Sequence, residues 1–174
     1  LKILKSGLPV IFQTDTLPAI GCLPKFSEII YEFKKRDRNK PLILMGSEQK
    51  QLIDYVHESA KDDFKNIASK YWPGALTMVI PCSKKEKSIL TSRDFTLGLR
   101  IPNSFMAQAL MKETGPLLTS SANISGSTGS VKVEGVADKT AGRFVEAIPA
   151  FLEFMEAANL ENKLSEKKAS KKVQ

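Results

Sequence analysis

A basic cluster that includes Lys34, Arg36, Arg38 and Lys40 lies just before a proline at position 41. Arginine can bind a phosphate or carboxylate through two parallel hydrogen bonds, while lysine acts as a point charge. The cluster therefore has the composition of an anion-binding site. It also follows a predicted helix, where positive charge complements the negative end of the helix dipole, so a solvated helix end is an equally good interpretation.

Small polar residues form a second candidate site at Ser120-Ser121-Ala122-Asn123, after a short apolar strand predicted at Leu117-Leu118. Hydroxyl and amide groups at a strand end can bind polar atoms of a ligand, or can satisfy the backbone of a turn. The residue types alone leave both interpretations open. Gly126 and Gly129 follow, but they match neither a Walker A loop nor a dinucleotide-binding fingerprint, so a P-loop NTPase and a Rossmann dehydrogenase are not expected.

The other reactive side chains indicate structural roles. His57 is the only histidine and lies in a polar helical stretch, so we expect it at the surface and expect no histidine-rich metal site. Cys22 and Cys82 are too few for a disulfide framework, which is typical of a reducing cytoplasm, and a cytoplasmic location is the prediction. We expect Cys22 to be a small buried apolar residue and Trp72 to pack in the core.

Length and composition indicate one folded domain with a basic tail. The chain has 174 residues, 42% of them hydrophobic, and a formal net charge of +7. Residues 160–174 contain five lysines and two glutamates and so carry +3 of that charge. We therefore predict a domain over residues 1–159 and a flexible tail over residues 160–174. No apolar run approaches the ~20 residues of a membrane-spanning helix, and no signal peptide is visible, so no membrane association is expected.

Alternating strand and helix patterns must position these side chains. Strands are predicted at residues 9–12, 42–45, 75–80, 97–101 and 117–118. Helices are predicted from residue 26 into the basic cluster and at residues 47–56, 64–71, 104–113 and 151–158, with a loop at 127–139. In the helix that begins at Ser104, Phe105 is predicted to face the core. The alternation predicts an α/β fold with a twisted, mixed sheet.

Four short motifs follow one another along the chain. They are Thr14-Asp15-Thr16, Lys34-x-Arg36-x-x-x-Lys40-Pro41-Leu42, Trp72-Pro73-Gly74-x-Leu76-Thr77, and Arg100-Ile101-Pro102 followed by Ser121-Ala122-Asn123-x-Ser125-Gly126. In order and spacing, over about residues 9–126, the chain resembles the YrdC-like family, the threonylcarbamoyl-AMP synthases also called TsaC proteins. The resemblance implies a single-domain α/β fold with an open twisted mixed sheet, flanking helices and a concave basic surface.

The resemblance also implies a reaction. In this family, threonine and bicarbonate give N-carboxythreonine, whose carboxylate attacks the α-phosphate of ATP to form threonylcarbamoyl-AMP and pyrophosphate. Other proteins then transfer the threonylcarbamoyl group to adenosine 37 of certain tRNAs. Two anions must meet in this reaction, so the site has to neutralise charge, and Mg²⁺ would bridge the phosphates. No covalent nucleophile is needed, and no metal ligands from the protein are expected.

Residue roles follow from the matched motifs. Lys34, Arg36, Ser121 and Asn123 match family residues that line the basic surface, and they are the predicted catalytic set. Thr14, Thr16, Lys40, Arg100 and Ser125 are the predicted binding set for threonine and ATP. Arg38 matches no fixed family position.

The chain departs from the family pattern in two places. Family members read P-T-[DE]-T-V-Y-G-L-G, whereas this chain has Gln13 in place of the first proline and Leu17-Pro18-Ala19-Ile20 in place of V-Y-G-L. After Gly126 the chain lacks the Ser-Thr-Val strand and the Leu-Arg-x-Gly segment that the family often carries. The altered loop beside the threonine site affects the expected substrate preference.

An RNA-binding module is the alternative function. A basic concave surface could hold the backbone of double-stranded RNA or tRNA, with an affinity that falls steeply with salt. Aromatic residues make up only 7% of the chain and mostly fall on predicted core stripes, so stacking on bases has little support. The carbamoyl-transfer domain of hydrogenase maturation proteins shares the fold, but those chains are much larger.

Overall fold

Six strands form a single mixed sheet in the computed structural model, which describes residues 1–83 and 95–123. The strands are β1 (Val10–Phe12), β2 (Ala19–Cys22), β3 (Ile43–Met45), β4 (Met78–Pro81), β5 (Thr96–Arg100) and β6 (Leu117–Ser121). They lie in the order β1-β2-β6-β3-β5-β4, with β3 and β5 parallel and every other neighbouring pair antiparallel. The predicted mixed sheet is thereby confirmed.

Helices flank the sheet, as the sequence predicts. They are α1 (Lys2–Lys5), α2 (Glu28–Lys34), α3 (Gln49–Leu52), α4 (Lys61–Tyr71) and α5 (Phe105–Thr114). Short 3-10 turns occupy Pro24–Phe26, Ile53–Tyr55 and Glu58–Ala60. None of the helices in residues 1–83 and 95–123 is long and apolar enough to cross a membrane.

A core cluster lies on each face of the sheet, and side chains alternate between the two faces along each strand. In β1, Ile11 packs in one core cluster, while Val10 and Phe12 pack in the other. The first cluster includes apolar residues of α2 and α4, and the second includes residues of α1 and α5. Strands that are covered on both sides read as continuous apolar runs, which explains why β1 is buried at all three positions.

The strand predictions need correction at β2 and β6. β2 was not predicted, since Ala19–Cys22 is short and shows no alternation of polar and apolar residues. The strand predicted at residues 117–118 extends to Ser121, because β6 pairs with β2 on one side and with β3 on the other. Ser120 and Ser121 therefore lie within a central strand and not in the segment after it.

Several helix predictions are also wrong in detail. α2 ends at Lys34, well before the proline at position 41, and the helix predicted at residues 47–56 is a single turn, α3, followed by a 3-10 turn. Phe105 begins α5 but is 48% exposed, because the next two residues of the helix face the core in its place. The predicted N-cap is correct, since the Ser104 hydroxyl accepts from the backbone N–H of Ala107 at 3.4 Å.

The Trp72-Pro73-Gly74 segment connects α4 to the sheet. Trp72 packs in the core as predicted, its ring meeting Phe64 edge to face, and the Trp72–Pro73 peptide bond is cis. The indole Nε1–H donates to the Leu76 carbonyl at 2.7 Å, which ties the segment before β4 to Trp72. The strand predicted at residues 75–80 accordingly begins only at Met78.

Cys22 and His57 both make structural contacts. Cys22 is buried, and burial raises the pKa of its thiol to about 12, which is consistent with an apolar core residue. His57 caps the 3-10 turn at Glu58–Ala60 by accepting from the Ser59 N–H. The predicted loop, last helix and tail after Asn123, with the domain boundary at residue 159, lie outside the described residues.

Candidate active site

The side-chain ammonium of Lys34 is buried against the polar segment that ends β6. Only 4% of Lys34 is exposed. Its Nζ atom donates to the backbone carbonyl of Ser121 and lies 3.4 Å from both the Ser121 Oγ and the Asn123 Oδ1 atoms. The Ser121 hydroxyl also lies 2.5 Å from Asn123 Oδ1. Three members of the predicted catalytic set are therefore in direct contact.

Local sequence explains why this lysine points inward. Lys34 is the last residue of α2, three and four positions after Tyr31 and Ile30, which are both buried in the core. Residues with these spacings share one face of a helix. Lys35 then adopts a left-handed conformation (φ 50°) that ends α2, and it is exposed. The end of the helix thus directs one lysine toward β6 and the next toward solvent.

The pKa of Lys34 is lowered from 10.5 to about 8, mainly by burial and in smaller part by the positive charge of Arg36. The group is still mostly protonated at pH 7. A cation that is kept away from water with only neutral oxygens around it attracts an anion more strongly than an exposed lysine does. Lys34 is therefore well suited to bind a phosphate or a carboxylate.

Arg36 is partly exposed and organises the loop that leads to β3. Its Nε donates to the carbonyl of Lys40 at 3.1 Å, and its Nη2 donates to the carbonyl of Pro41 at 3.0 Å. These bonds use two of its five N–H donors, so the guanidinium can also bind a ligand. Arg38 forms an exposed ion pair with Glu28, as expected for a surface charge.

Arg100 joins the other polar cluster of the site. Arg100 is buried, with 7% of the residue exposed, and its guanidinium makes three hydrogen bonds. Nε donates to the Gly74 carbonyl at 3.1 Å, Nη1 donates to Thr16 Oγ1 at 3.2 Å, and Nη2 forms an ion pair with Asp15 Oδ1 at 2.6 Å. Thr14 is buried, and its Oγ1 lies 3.2 Å from that of Thr16. Three of the four sequence motifs therefore meet at Arg100.

Backbone pairing links the Arg100 cluster to the Lys34 cluster. Ala19 pairs with Ser121 where β2 meets β6, and the N–H of Ala122 donates to the Pro18 carbonyl at 2.8 Å. The segment that carries Thr14 and Thr16 therefore continues directly into the strand beside Ser121. This is also the segment that departs from the family pattern, and here it simply begins a central strand.

The structure does not bring every predicted residue together. Lys40 is exposed, its backbone N–H donates to the Asp37 carbonyl, and its own carbonyl accepts from Arg36 and Tyr31. Ser125 lies outside the described residues. Within residues 1–83 and 95–123, no group of three or more His, Cys, Asp or Glu side chains is arranged to hold a metal ion.

Two residues of the site have no assigned role from sequence alone. Asp15 lies between the two threonines of its motif, and Gly74 accepts from Arg100 through its carbonyl. An added Cβ atom at Gly74 would lie 2.6 Å from the Tyr71 carbonyl oxygen, so this position requires glycine. The signal for both was their place within matched motifs, but only their contacts with Arg100 indicate what they do.

A comparison of sequences identifies the family. Residues 2–151 match the Sua5/YciO/YrdC family, whose description is "Telomere recombination". A relative named threonylcarbamoyl-AMP synthase, from Bacillus subtilis, is 34% identical over 146 residues, which are 81% of this chain and 42% of the relative. A relative with the same name, from Vibrio vulnificus, is 33% identical over 147 residues, or 80% of this chain and 77% of the relative.

A solved structure shares the fold. The crystal structure of P. abyssi Sua5 complexed with L-threonine superposes with a TM-score of 0.73 and 29% sequence identity, and covers 79% of this chain. This chain spans 42% of that protein, as it does of the Bacillus relative, so it corresponds to less than half the length of each.

Proposed function

The chain belongs to the Sua5/YciO/YrdC family, and we propose that it is an L-threonylcarbamoyladenylate synthase. It would form threonylcarbamoyl-AMP, pyrophosphate and water from L-threonine, bicarbonate and ATP, the water being lost when threonine and bicarbonate give N-carboxythreonine. The carboxylate oxygen of N-carboxythreonine would attack the α-phosphorus of ATP, the bond from that phosphorus to the α–β bridging oxygen would break, and pyrophosphate would leave. The protein is then a nucleotidyltransferase, since the group transferred is AMP.

The contact of Lys34 with Ser121 and Asn123 carries this proposal. The reaction brings a carbamate up to a triphosphate, and their mutual repulsion is a large part of the barrier. A buried ammonium can offset this repulsion, because its hydrogen-bond partners among the described residues are neutral oxygens and do not cancel its positive charge. A phosphate oxygen would replace Ser121 Oγ or Asn123 Oδ1 at Lys34 Nζ, as these are the longer of its contacts.

Arg36 and Lys40 would add charge at the entrance to this site. The Arg36 guanidinium is anchored by the carbonyls of the loop and still has N–H groups with which to bind phosphate oxygens. Lys40 is exposed and would act as a mobile point charge. A site of this kind works by position and electrostatics and needs no covalent intermediate.

Thr14, Thr16 and Arg100 would bind the amino acid or the nucleotide beside it. The Arg100 guanidinium and the Thr16 hydroxyl supply donors for a carboxylate or a phosphate, and hydrogen bonds among the three residues hold those donors in place. Thr16 is exposed at the surface of this cluster, whereas Thr14 is buried beneath it. Ser125, two positions after Asn123, would belong to the same binding set.

Mg²⁺ would enter as part of the substrate, bound to the phosphates of ATP. The oxygen atoms of Ser121 and Asn123 are hard ligands of the kind that Mg²⁺ accepts, but the adjacent Lys34 ammonium repels a cation. The metal would therefore be held by phosphate oxygens and water, where it neutralises charge on the pyrophosphate leaving group.

The decisive experiment measures pyrophosphate release from ATP and Mg²⁺ with each small substrate omitted in turn. We expect release only when L-threonine and bicarbonate are both present, and an adenylated product of the mass of threonylcarbamoyl-AMP. Folded protein that releases no pyrophosphate under these conditions, or that releases it without threonine, would contradict the proposal.

Transfer to tRNA remains a prediction of this proposal. The product would pass to separate proteins that modify adenosine 37 in the cytoplasm, and direct binding of tRNA or double-stranded RNA is not required for the reaction proposed. A binding titration at several salt concentrations separates the two functions. An RNA-binding module would show an affinity that falls with a slope near −0.9 per phosphate contacted on a duplex, with or without ATP.

A further inference from the structure

We propose that Asp15 is a positioning residue, whose carboxylate orients the Arg100 guanidinium so that Arg100 and the Thr16 hydroxyl are held ready for the substrate. This inference rests on the proposed function for its kinetic consequence only. Its structural part concerns three segments that are distant in sequence and that meet at one guanidinium.

The geometry shows how Asp15 does this. Each of the three guanidinium nitrogens of Arg100 makes one bond, to Gly74, Thr16 and Asp15 respectively. Three bonds in one plane fix both the position and the rotation of the group. Arginine has five N–H donors, so one on each terminal nitrogen remains after these bonds are made. Without Asp15, only two neutral acceptors would hold the plane.

Burial makes the charge of Asp15 necessary. The side chains of Arg100 and Asp15 are 8% and 15% exposed. A guanidinium buried to this extent without a counterion is strongly unfavourable, and it would be expected to turn toward solvent or toward another anion. Asp15 thus keeps Arg100 folded against Gly74, and the surplus positive charge of the site remains at Lys34 and Arg36.

Hydrogen bonds hold the segment around Asp15 on both sides, so it can transmit this constraint. Thr14 Oγ1 donates to the Leu17 carbonyl at 2.8 Å and accepts from the Thr16 N–H at 3.1 Å. The Ser104 hydroxyl donates to the Gln13 carbonyl at 3.0 Å and anchors the start of the turn. Arg100 holds the other end through Thr16, so losing the ion pair would release the hydroxyl as well as the guanidinium.

The test compares Asp15→Asn with Asp15→Glu and with Glu28→Gln, in the full chain. Asp15→Asn keeps the size of the side chain and removes its charge, while Asp15→Glu keeps the charge. Glu28→Gln is the matched control, because it removes the acid of an exposed ion pair, that of Arg38. The first readout is the NMR signal of the Arg100 Nε–H group, assigned by its loss in Arg100→Lys. The second is kcat together with the Kd of a non-hydrolysable ATP analogue.

We expect Asp15→Asn to speed exchange of the Arg100 Nε–H with water at least tenfold and to lower kcat at least tenfold, a larger effect than the weaker binding of the ATP analogue that a displaced Arg100 would also cause. Asp15→Glu should recover most of both losses, and Glu28→Gln should match the wild type. An unchanged Arg100 signal overturns the proposal, and so does an equal loss of all properties in both Asp15 variants. Absence of pyrophosphate release by the wild type would reject the proposed function, while the Arg100 signal would still decide the role of Asp15.

Discussion

The Nζ atom of Lys34 lies 3.4 Å from the Oγ atom of Ser121, although 87 positions separate the two residues in the sequence. The lysine ends α2, and the serine ends β6 between two other strands. Rigid elements on both sides therefore hold the contact. A site that acts by electrostatics depends on such placement, because the interaction of charges weakens quickly when water enters between them.

Lys34→Ala should lower the rate of pyrophosphate release about 10²- to 10³-fold, the usual cost of losing one well-placed charge at a reacting phosphate. Ser121 and Asn123 can still bond to each other, so the fold should persist. Steady-state kinetics with circular dichroism checks this. The matched control is Lys35→Gln, since Lys35 is the next residue but is exposed, and its rate should stay within about twofold of the wild type. Similar losses in both variants would show that only general positive charge matters.

Replacing Arg36 by alanine should lower kcat/KM for ATP far more than replacing Arg38 by alanine. Arg36 is anchored to the loop that follows α2, and its loss would remove a phosphate-binding group as well as two loop bonds. We expect a fall of about 10²-fold in kcat/KM for ATP. In the part of the chain that the structure describes, Arg38 pairs with the exposed Glu28, so Arg38→Ala should change kcat/KM less than about twofold and stability by at most about 1 kcal/mol. Equal effects would argue against a phosphate contact from Arg36.

Binding of a non-hydrolysable ATP analogue should weaken as pH rises through about 8. The pKa of Lys34 is lowered to about 8, so the side chain is charged below that pH and neutral above it. Loss of the proton removes the attraction for phosphate. Calorimetric titration between pH 7 and 9.5 measures the effect. Lys34→Arg keeps its charge over this whole range, so its affinity should be nearly constant, and a parallel decline in both proteins would assign the titration to another group.

Gly74→Ala should destabilise the fold by about 1–3 kcal/mol, the cost of placing an extra methyl group in a packed site. The added Cβ would lie 2.6 Å from the Tyr71 carbonyl oxygen, and moving the backbone would disturb the carbonyl that accepts from Arg100. Gly98→Ala is the control, because the nearest atom to its added Cβ is 3.4 Å away. Urea unfolding compares the two variants. Equal midpoints would mean that the turn adjusts without cost.

Local patterns were sufficient for much of the fold. The apolar run of β1 and the N-cap at Ser104 are features of neighbouring residues, and both were predicted correctly. The sequence does not predict β2, because Ala19–Cys22 shows no alternation of polar and apolar residues. The segment is a strand because it pairs with β1 on one side and with β6 on the other. Phe105 was misplaced because the direction in which a helix faces depends on what packs against it.

Residue types made an anion-binding site possible, since cations, hydroxyls and amides bind phosphates and carboxylates, but they fitted a solvated helix end and a turn as well, and the family resemblance favoured the site. The arrangement of these groups could not be predicted, because hydrogen bonds such as Arg100 to Asp15, across 85 positions, form only after the sheet has paired its strands in the order found here. A carboxylate beside two threonines has no preferred partner in an extended chain. Folding places the buried Arg100 guanidinium beside Asp15. Because a buried guanidinium without a counterion is strongly unfavourable, the two residues pair specifically.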